Sequence, residues 1–188
     1  MKNYYRIMLG RKSLYAEEAY KGCFIGVDFG LDFDLTNRLP DNWRDFNKEF
    51  IPKYLEKYPD KTKVSAGLAC GSLHTIAKRI QIEDVVLCPD GKGSYFVGEI
   101  TTNYDYHKGE ALPHRRGVRW FSKKIERLRM SQSLQNSSGS IGTVSDITRY
   151  SEEIESLIAG DRPSTIIATD ESIEDPSVFA LEKHLEDF

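Results

Sequence analysis

The sequence predicts an α+β domain, a small β platform with helices set against it, and three observations carry that expectation. The stretch from Glu83 to Phe121 reads as strand, tight turn, strand, aromatic-rich loop and basic strand. Ahead of it, Trp43, Phe46 and Phe50 recur at three- and four-residue spacing, which places them on one face of a helix. The 188 residues are 39% hydrophobic and 29% charged, a balance that belongs to a chain with a buried core.

Within the central stretch, Val85, Val86 and Leu87 form an apolar run that Pro89-Asp90-Gly91-Lys92-Gly93 stops as a hairpin turn. Tyr95, Phe96, Val97 and Ile100 resume a strand, and Gly98 inside it marks a bulge or a close backbone approach. Tyr104 to His107 form a loop, and His114 to Phe121 return as a strand. Upstream, Tyr4 to Gly10 is the first strand, Ser13 to Tyr20 a short helix with Ser13 as its cap, and Cys23 to Val27 the second strand. A loop with Asp28, Phe29, Gly30 and Asp32 follows. Pro40-Asp41 opens a helical region that Pro52 is expected to end or kink. Lys63 to Gln81 is another helix with Val64, Leu68, Ile76 and Ile80 as its stripe, and Gly67 and Gly71 leave room for a neighbouring backbone. His74 reads as a helix histidine without a functional role. Beyond Phe121 come a basic amphipathic segment to Gln135, a loop at 136–140, a closing strand at 141–144 and an acidic helix from Tyr150 to Ile158.

Charge is uneven. Eight acids and two bases lie from Ala159 onward, which leaves the preceding residues with 24 bases against 21 acids. A mildly basic body ahead of an acidic end is compatible with local nucleic-acid binding. No run of about 18 apolar residues offers a membrane span, and the charged N-terminus has no signal-like apolar core. Cys23, Cys70 and Cys88 are scattered and odd in number, which fits reduced thiols and a cytoplasmic setting. Gly91-Lys92-Gly93 is too short for a phosphate loop. The four histidines and three cysteines lack zinc-ligand spacing. Asp28, Asp32 and Asp34 open like a calcium loop but lack its glutamate. Catalysis by this chain finds little support.

Aromatics interleaved with arginines on a β platform suit a nucleic acid, since rings stack on bases and guanidinium groups hold phosphates. The run Ile25 to Asp28, the Asp84-Val85-Val86 strand start and Val97-Gly98-Glu99-Ile100, in that order, resemble the EVE/YTH branch of the PUA-like superfamily. Tyr104-x-Tyr106 through His114-Arg115-Arg116-x-Val118-x-Trp120 is similar to EVE-like domains attached to McrB-type and Mrr-type restriction endonucleases. The resemblance implies a PUA-like small β-barrel with flanking helices over residues 1–158, an acidic linker at 159–177 and, at 178–188, the first helix of a truncated nuclease domain. It implies no cofactor for this part and a divalent metal such as magnesium for the nuclease domain, where Glu182 or Glu186 would serve.

It also implies that the barrel reads a flipped, modified base in double-stranded DNA. Asp28 and Phe29 follow the second strand, where many relatives carry a tryptophan and this chain has Val27. Trp43, Tyr95, Tyr104, Tyr106 and Trp120 are candidates for the other walls, with Asp105 as an edge acceptor. His114, Arg115, Arg116, Arg119, Lys123, Lys124 and Arg127 are candidates for phosphate contacts, which would make affinity fall with salt. Core packing competes for Trp43 and Trp120, and a solvated face competes for Arg115, Arg116 and Arg119. An RNA reader on the same fold and a protein-interaction module stay open beside the DNA reading.

Overall fold

The structure is a computed structural model and describes residues 1–160. The expected linker beyond its first two positions and the expected helix at 178–188 lie outside the described residues. In chain order come β1 (Tyr4–Ile7), α1 (Ala16–Gly22), β2 (Phe24–Val27), α2 (Trp43–Lys57), α3 (Lys63–His74), β3 (Val85–Pro89) and β4 (Ser94–Ile100). They are followed by β5 (Asp105–Tyr106), β6 (His114–Trp120), β7 (Ile125–Glu126), α4 (Gln132–Ser138), β8 (Val144–Asp146) and α5 (Ser151–Ala159). The strands form one curled mixed sheet in the order β2-β6-β4-β3-β1-β8, with β5 on β6 and β7 on β4. β1 runs parallel to β3 and the remaining pairs are antiparallel. The result is an α+β half-barrel flanked by helices.

Both faces of its middle strands are covered. Side chains alternate along a strand, so Tyr5, Ile7, Val86, Cys88, Phe96 and Ile100 face a main core with α1, α2 and α3. Tyr4, Val85, Leu87, Tyr95 and Val97 face a second core closed by Met130, Leu134, Ile154 and Leu157. The unbroken apolar run at Val85–Leu87 has this cause, because a strand covered on both sides has no polar face to alternate with. Gly98 is a close-approach glycine: a Cβ there would meet the Arg119 carbonyl at 2.8 Å and a Val118 methyl at 2.6 Å.

The helices correct several expectations. Ser13 does not cap α1; its hydroxyl donates to the Met8 sulfur and its φ is 61°. Pro52 neither ends nor splits α2, whose buried stripe runs on from Phe46 and Phe50 to Tyr54 while Pro52 itself lies on the exposed side. Packing on both sides of the proline outweighs the one backbone bond it forgoes. In α3 the buried side is Ala66, Ala69, Cys70, Leu73 and His74, while Leu68 is exposed, so the small residues and not Val64 and Leu68 face inward. Gly71 has nothing within 4 Å of a built Cβ, and Gly67 meets only an Ile51 methyl, so neither admits a backbone. Residues 132–138, expected to end in a loop, form α4 because Ser131 caps it by accepting from the Leu134 N–H at 3.2 Å. The closing strand begins at Val144, later than expected.

Candidate functional site

α3 does not stop cleanly at His74 but widens into a π turn over Thr75–Arg79. A helix end leaves carbonyls without partners, and here Arg116 takes them. Its Nε donates to the Ile76 carbonyl at 2.5 Å, and its two terminal nitrogens donate to Ala77 at 2.9 Å and Thr102 at 3.1 Å. Burial lowers its pKa to about 10, with Asp84 working the other way. Arg115 is likewise buried: it donates to the carbonyls of Leu112 and Ala111, pairs with Glu110 at 2.9 Å and lies 3.7 Å over the Phe24 ring. These two guanidinium groups are spent inside the fold, so the expected phosphate contacts from Arg115 and Arg116 do not fit their placement.

His114 does not fit that role either. It is fully buried, with Nε2 2.7 Å from the Leu31 carbonyl and Nδ1 2.7 Å from the Tyr104 hydroxyl. A carbonyl only accepts, so Nε2 carries the proton and Nδ1 accepts from Tyr104. The Tyr104 oxygen in turn accepts from the Leu35 N–H at 3.2 Å. This relay fastens both ends of the 31–35 segment to β6. Burial holds the His114 pKa below its ordinary value, partly offset by the Leu31 bond and by Asp28, Asp32 and Asp34. Tyr106 packs its ring 5.1 Å from His114, and Asp105 is exposed, 2.9 Å from His107 Nε2.

The other expected aromatics do not gather into one cage. Tyr95 lies in the second core, where its hydroxyl donates to Ser138 and accepts from Arg127 at 3.1 Å. Trp120 packs, tilted, against the stacked pair of Tyr20 and Phe96 and donates to the Ala19 carbonyl at 3.3 Å. Trp43 opens α2 with Arg44 stacked 4.7 Å over its ring. Among the expected phosphate contacts, Lys123 is exposed, as is Arg119, which pairs with Glu99 at 3.0 Å. Lys124 reaches Asp90 at 2.9 Å. Burial works against the Asp90 charge, but the Lys124 bond and the N–H groups of Lys92 and Ser94 outweigh it and hold the carboxyl below its usual range. Lys124 is thereby committed to the hairpin turn.

A cavity of about 420 Å³ opens beside Tyr104, lined also by Thr36, Leu39, Lys78, Gln81, Asn103 and Arg116. Most of its polar groups are engaged: Arg116 as above, Lys78 with Asp41 at 3.0 Å, and the Gln81 amide with the carbonyls of Lys78 and Arg79. A smaller cavity, about 210 Å³, lies where the chain leaves β1 and β2. Met8, Gly10 and Arg11 line it from one side, Val27, Asp28 and Phe29 from the other, with Leu112 and Thr143 between. Gly26 shapes it, because a Cβ there would meet the Leu112 carbonyl at 2.8 Å. Asp28 Oδ1 accepts from the Gly30 N–H at 2.9 Å, and among the described residues no hydrogen bond engages Oδ2. Asp28 and Phe29 therefore reach a common cavity, whereas Trp43, Tyr95, Tyr106 and Trp120 do not line it.

Met8, Arg11, Leu112 and Thr143 were not legible as site residues, since only the sheet order brings them together. The one available signal was Arg11-Lys12 directly after the expected first strand, Tyr4 to Gly10, of which the structure forms Tyr4–Ile7. Lys12 and Ser13 both take positive φ, 53° and 61°, in succession, a conformation that non-glycine residues seldom adopt. Among the described residues no group of three or more His, Cys, Asp or Glu is placed to hold a metal ion. None of the described helices is long and apolar enough to cross a membrane.

The fold and site define an α+β half-barrel with a small cavity at the ends of two strands. A family model described as a domain of unknown function, DUF8426, matches residues 5–148, and the chain belongs to that family. No curated protein matches it.

Proposed function

We propose that the chain reads a modified base in double-stranded DNA, taking one extruded base into the cavity between the ends of β1 and β2. The observation that carries this reading is the cavity itself. It is small for a drug-sized ligand, whose pockets run to about 300–1,000 Å³, and it joins apolar walls to a few polar groups that the fold has not used up. Phe29 and Met8 supply an aromatic and a thioether surface against which a ring packs. Asp28 supplies an acceptor for an exocyclic amine, and Leu112 and Thr143 close the space. The cage differs from the expected aromatic sandwich: one ring, Phe29, belongs to it. The resemblance to EVE-like domains of modification-dependent restriction endonucleases supports the same partner, and in that reading cleavage belongs to a separate nuclease domain with its own divalent metal.

Phosphate contacts pass from the buried arginines to exposed cations. Arg11 lines the cavity, the exposed Lys12 follows it, and neither makes an ion pair among the described residues; Arg119, paired with Glu99 on β6, and Lys123, in the turn after it, are also exposed. The test is fluorescence anisotropy against matched duplexes that are unmodified or carry N6-methyladenine, 5-methylcytosine or 5-hydroxymethylcytosine, each at two salt concentrations. Tighter binding to one modified duplex, weakened tenfold or more by Phe29→Ala, is the expected result. Equal weak binding to all four leaves only a basic surface. Absence of binding sinks the reading in favour of a protein partner, and preference for the corresponding RNA strand moves it to an RNA reader.

A further inference from the structure

Ile141 stands almost wholly in solvent, 98% exposed, in the segment between α4 and β8. A single exposed apolar residue is ordinary on a protein surface. The mount beneath this one is not. Arg6, on β1 and fully buried, donates one terminal nitrogen to the Gly142 carbonyl at 2.7 Å and the other to the Ser140 carbonyl at 2.8 Å. One guanidinium fork thus fixes the backbone on both sides of Ile141. The same group donates to the Ser145 hydroxyl at 2.9 Å, and the Met8 N–H holds the Thr143 carbonyl at 2.8 Å. Gly142, at φ 123°, makes the turn that this bracing requires. A buried cation is costly to desolvate, and here its bonds serve to hold a segment whose tip contacts nothing in the fold.

Position gives the tip its meaning. Thr143, two residues on, lines the cavity between β1 and β2, and on the side of β1 that cavity meets Arg11, followed by the exposed Lys12. An apolar side chain on a braced tip, a cavity and a pair of uncommitted cations therefore lie together. We propose that Ile141 is a wedge that enters the base stack of double-stranded DNA at the step left open when a base turns into the cavity, while Arg11 and Lys12 hold the backbone. This rests on the base-pocket reading and deepens it by assigning the partner a stacked double helix. Extruding a base breaks stacking on both sides, and an apolar side chain filling the gap recovers part of the loss. A single strand has no such gap, so the wedge contributes nothing there.

Three probes test it with the full chain: the duplex preferred in the panel above, the same duplex with a mismatch opposite the modified base, and the modified strand alone. Ile141→Ser is expected to weaken binding to the paired duplex about tenfold or more, from the apolar surface no longer buried. Its effect on the mismatched duplex, whose base leaves the stack more cheaply, is expected to be smaller, and on the single strand absent. Ile141→Leu retains wild-type binding. Phe29→Ala, a pocket variant, weakens all three. Wild-type affinity of Ile141→Ser for the paired duplex overturns the wedge, as does an equal loss on all three probes, and both leave the pocket standing. A wild-type chain that fails to discriminate among the four duplexes refutes the pocket and the wedge with it.

Discussion

Replacing Arg116 with lysine keeps the positive charge and removes the fork, which separates a structural role from a phosphate contact. Arg116 is 4% exposed and gives three hydrogen bonds to carbonyls, two at the π turn after α3 and one at Thr102. Lysine carries its donors on one nitrogen and cannot span those positions, so about two of the three bonds are lost. Bonds from a charged donor contribute about 1.5–3 kcal/mol each. The neighbouring 420 Å³ cavity lets water reach part of the vacated space, so the lower end of that range applies and the loss is about 2–4 kcal/mol. For a domain of this size that corresponds to a fall in Tm of roughly 4–16 °C. Urea titrations of Arg116→Lys and wild type followed by circular dichroism measure it. A midpoint within error of wild type, together with a shallower salt dependence of DNA binding, would refute the structural assignment and restore Arg116 as a phosphate ligand.

Two further expectations follow from buried titratable groups. Burial lowers the pKa of His114, and of His74, which sits inside the core with its Nε2 donating to the Pro40 carbonyl at 2.8 Å. The unfolded chain then binds more protons than the folded one below the ordinary histidine pKa of about 6.5, so stability falls as pH drops from about 7 toward 5. Denaturation midpoints across that range check the sign, and flat midpoints with both imidazole resonances already protonated at pH 6 would contradict it. Among the thiols, burial pushes Cys70 up to about 12 and raises Cys88 as well, while Cys23 is exposed. Ellman's reagent is therefore expected to titrate one thiol in the native protein and three in urea; fast reaction of two in native buffer would place Cys70 or Cys88 at the surface.

The strands were legible because their signals are local. Alternation and the Asp90–Gly93 turn specify β3 and β4 without reference to the rest of the chain, and the turn forms as read, with Asp90 accepting from the N–H groups of Lys92 and Ser94. The second core was signalled too, by an apolar run too continuous for a one-sided strand, yet part of its cover beside α5 is α4, whose seven residues are six polar ones and a single apolar one, Leu134. Pattern alone does not reveal such a helix; its cap does.

The candidate site was half legible for a different reason. An arginine in sequence shows its charge and not its partner. Arg115 and Arg116 occupy successive positions of β6 and point to opposite faces; Arg115 is consumed by carbonyls of the adjoining 111–112 turn, and Arg116 by the end of α3, which no local pattern places beside it. Asp28 and Phe29 were recovered because they follow a strand directly, and residues just beyond a strand end are carried to the rim of the sheet whatever the topology. Arg11 and Lys12 reach the same rim from the 3₁₀ turn that follows Met8, Leu9 and Gly10 after β1. In this fold exposure decides more than strand membership: the cations buried along β6 serve the protein, and those left in solvent are the candidates for a partner. Charge reversal at a cation of each kind separates the two. Arg11→Glu with Lys12→Glu is expected to weaken duplex binding with little change in stability, whereas Arg116→Glu is expected to unfold the domain.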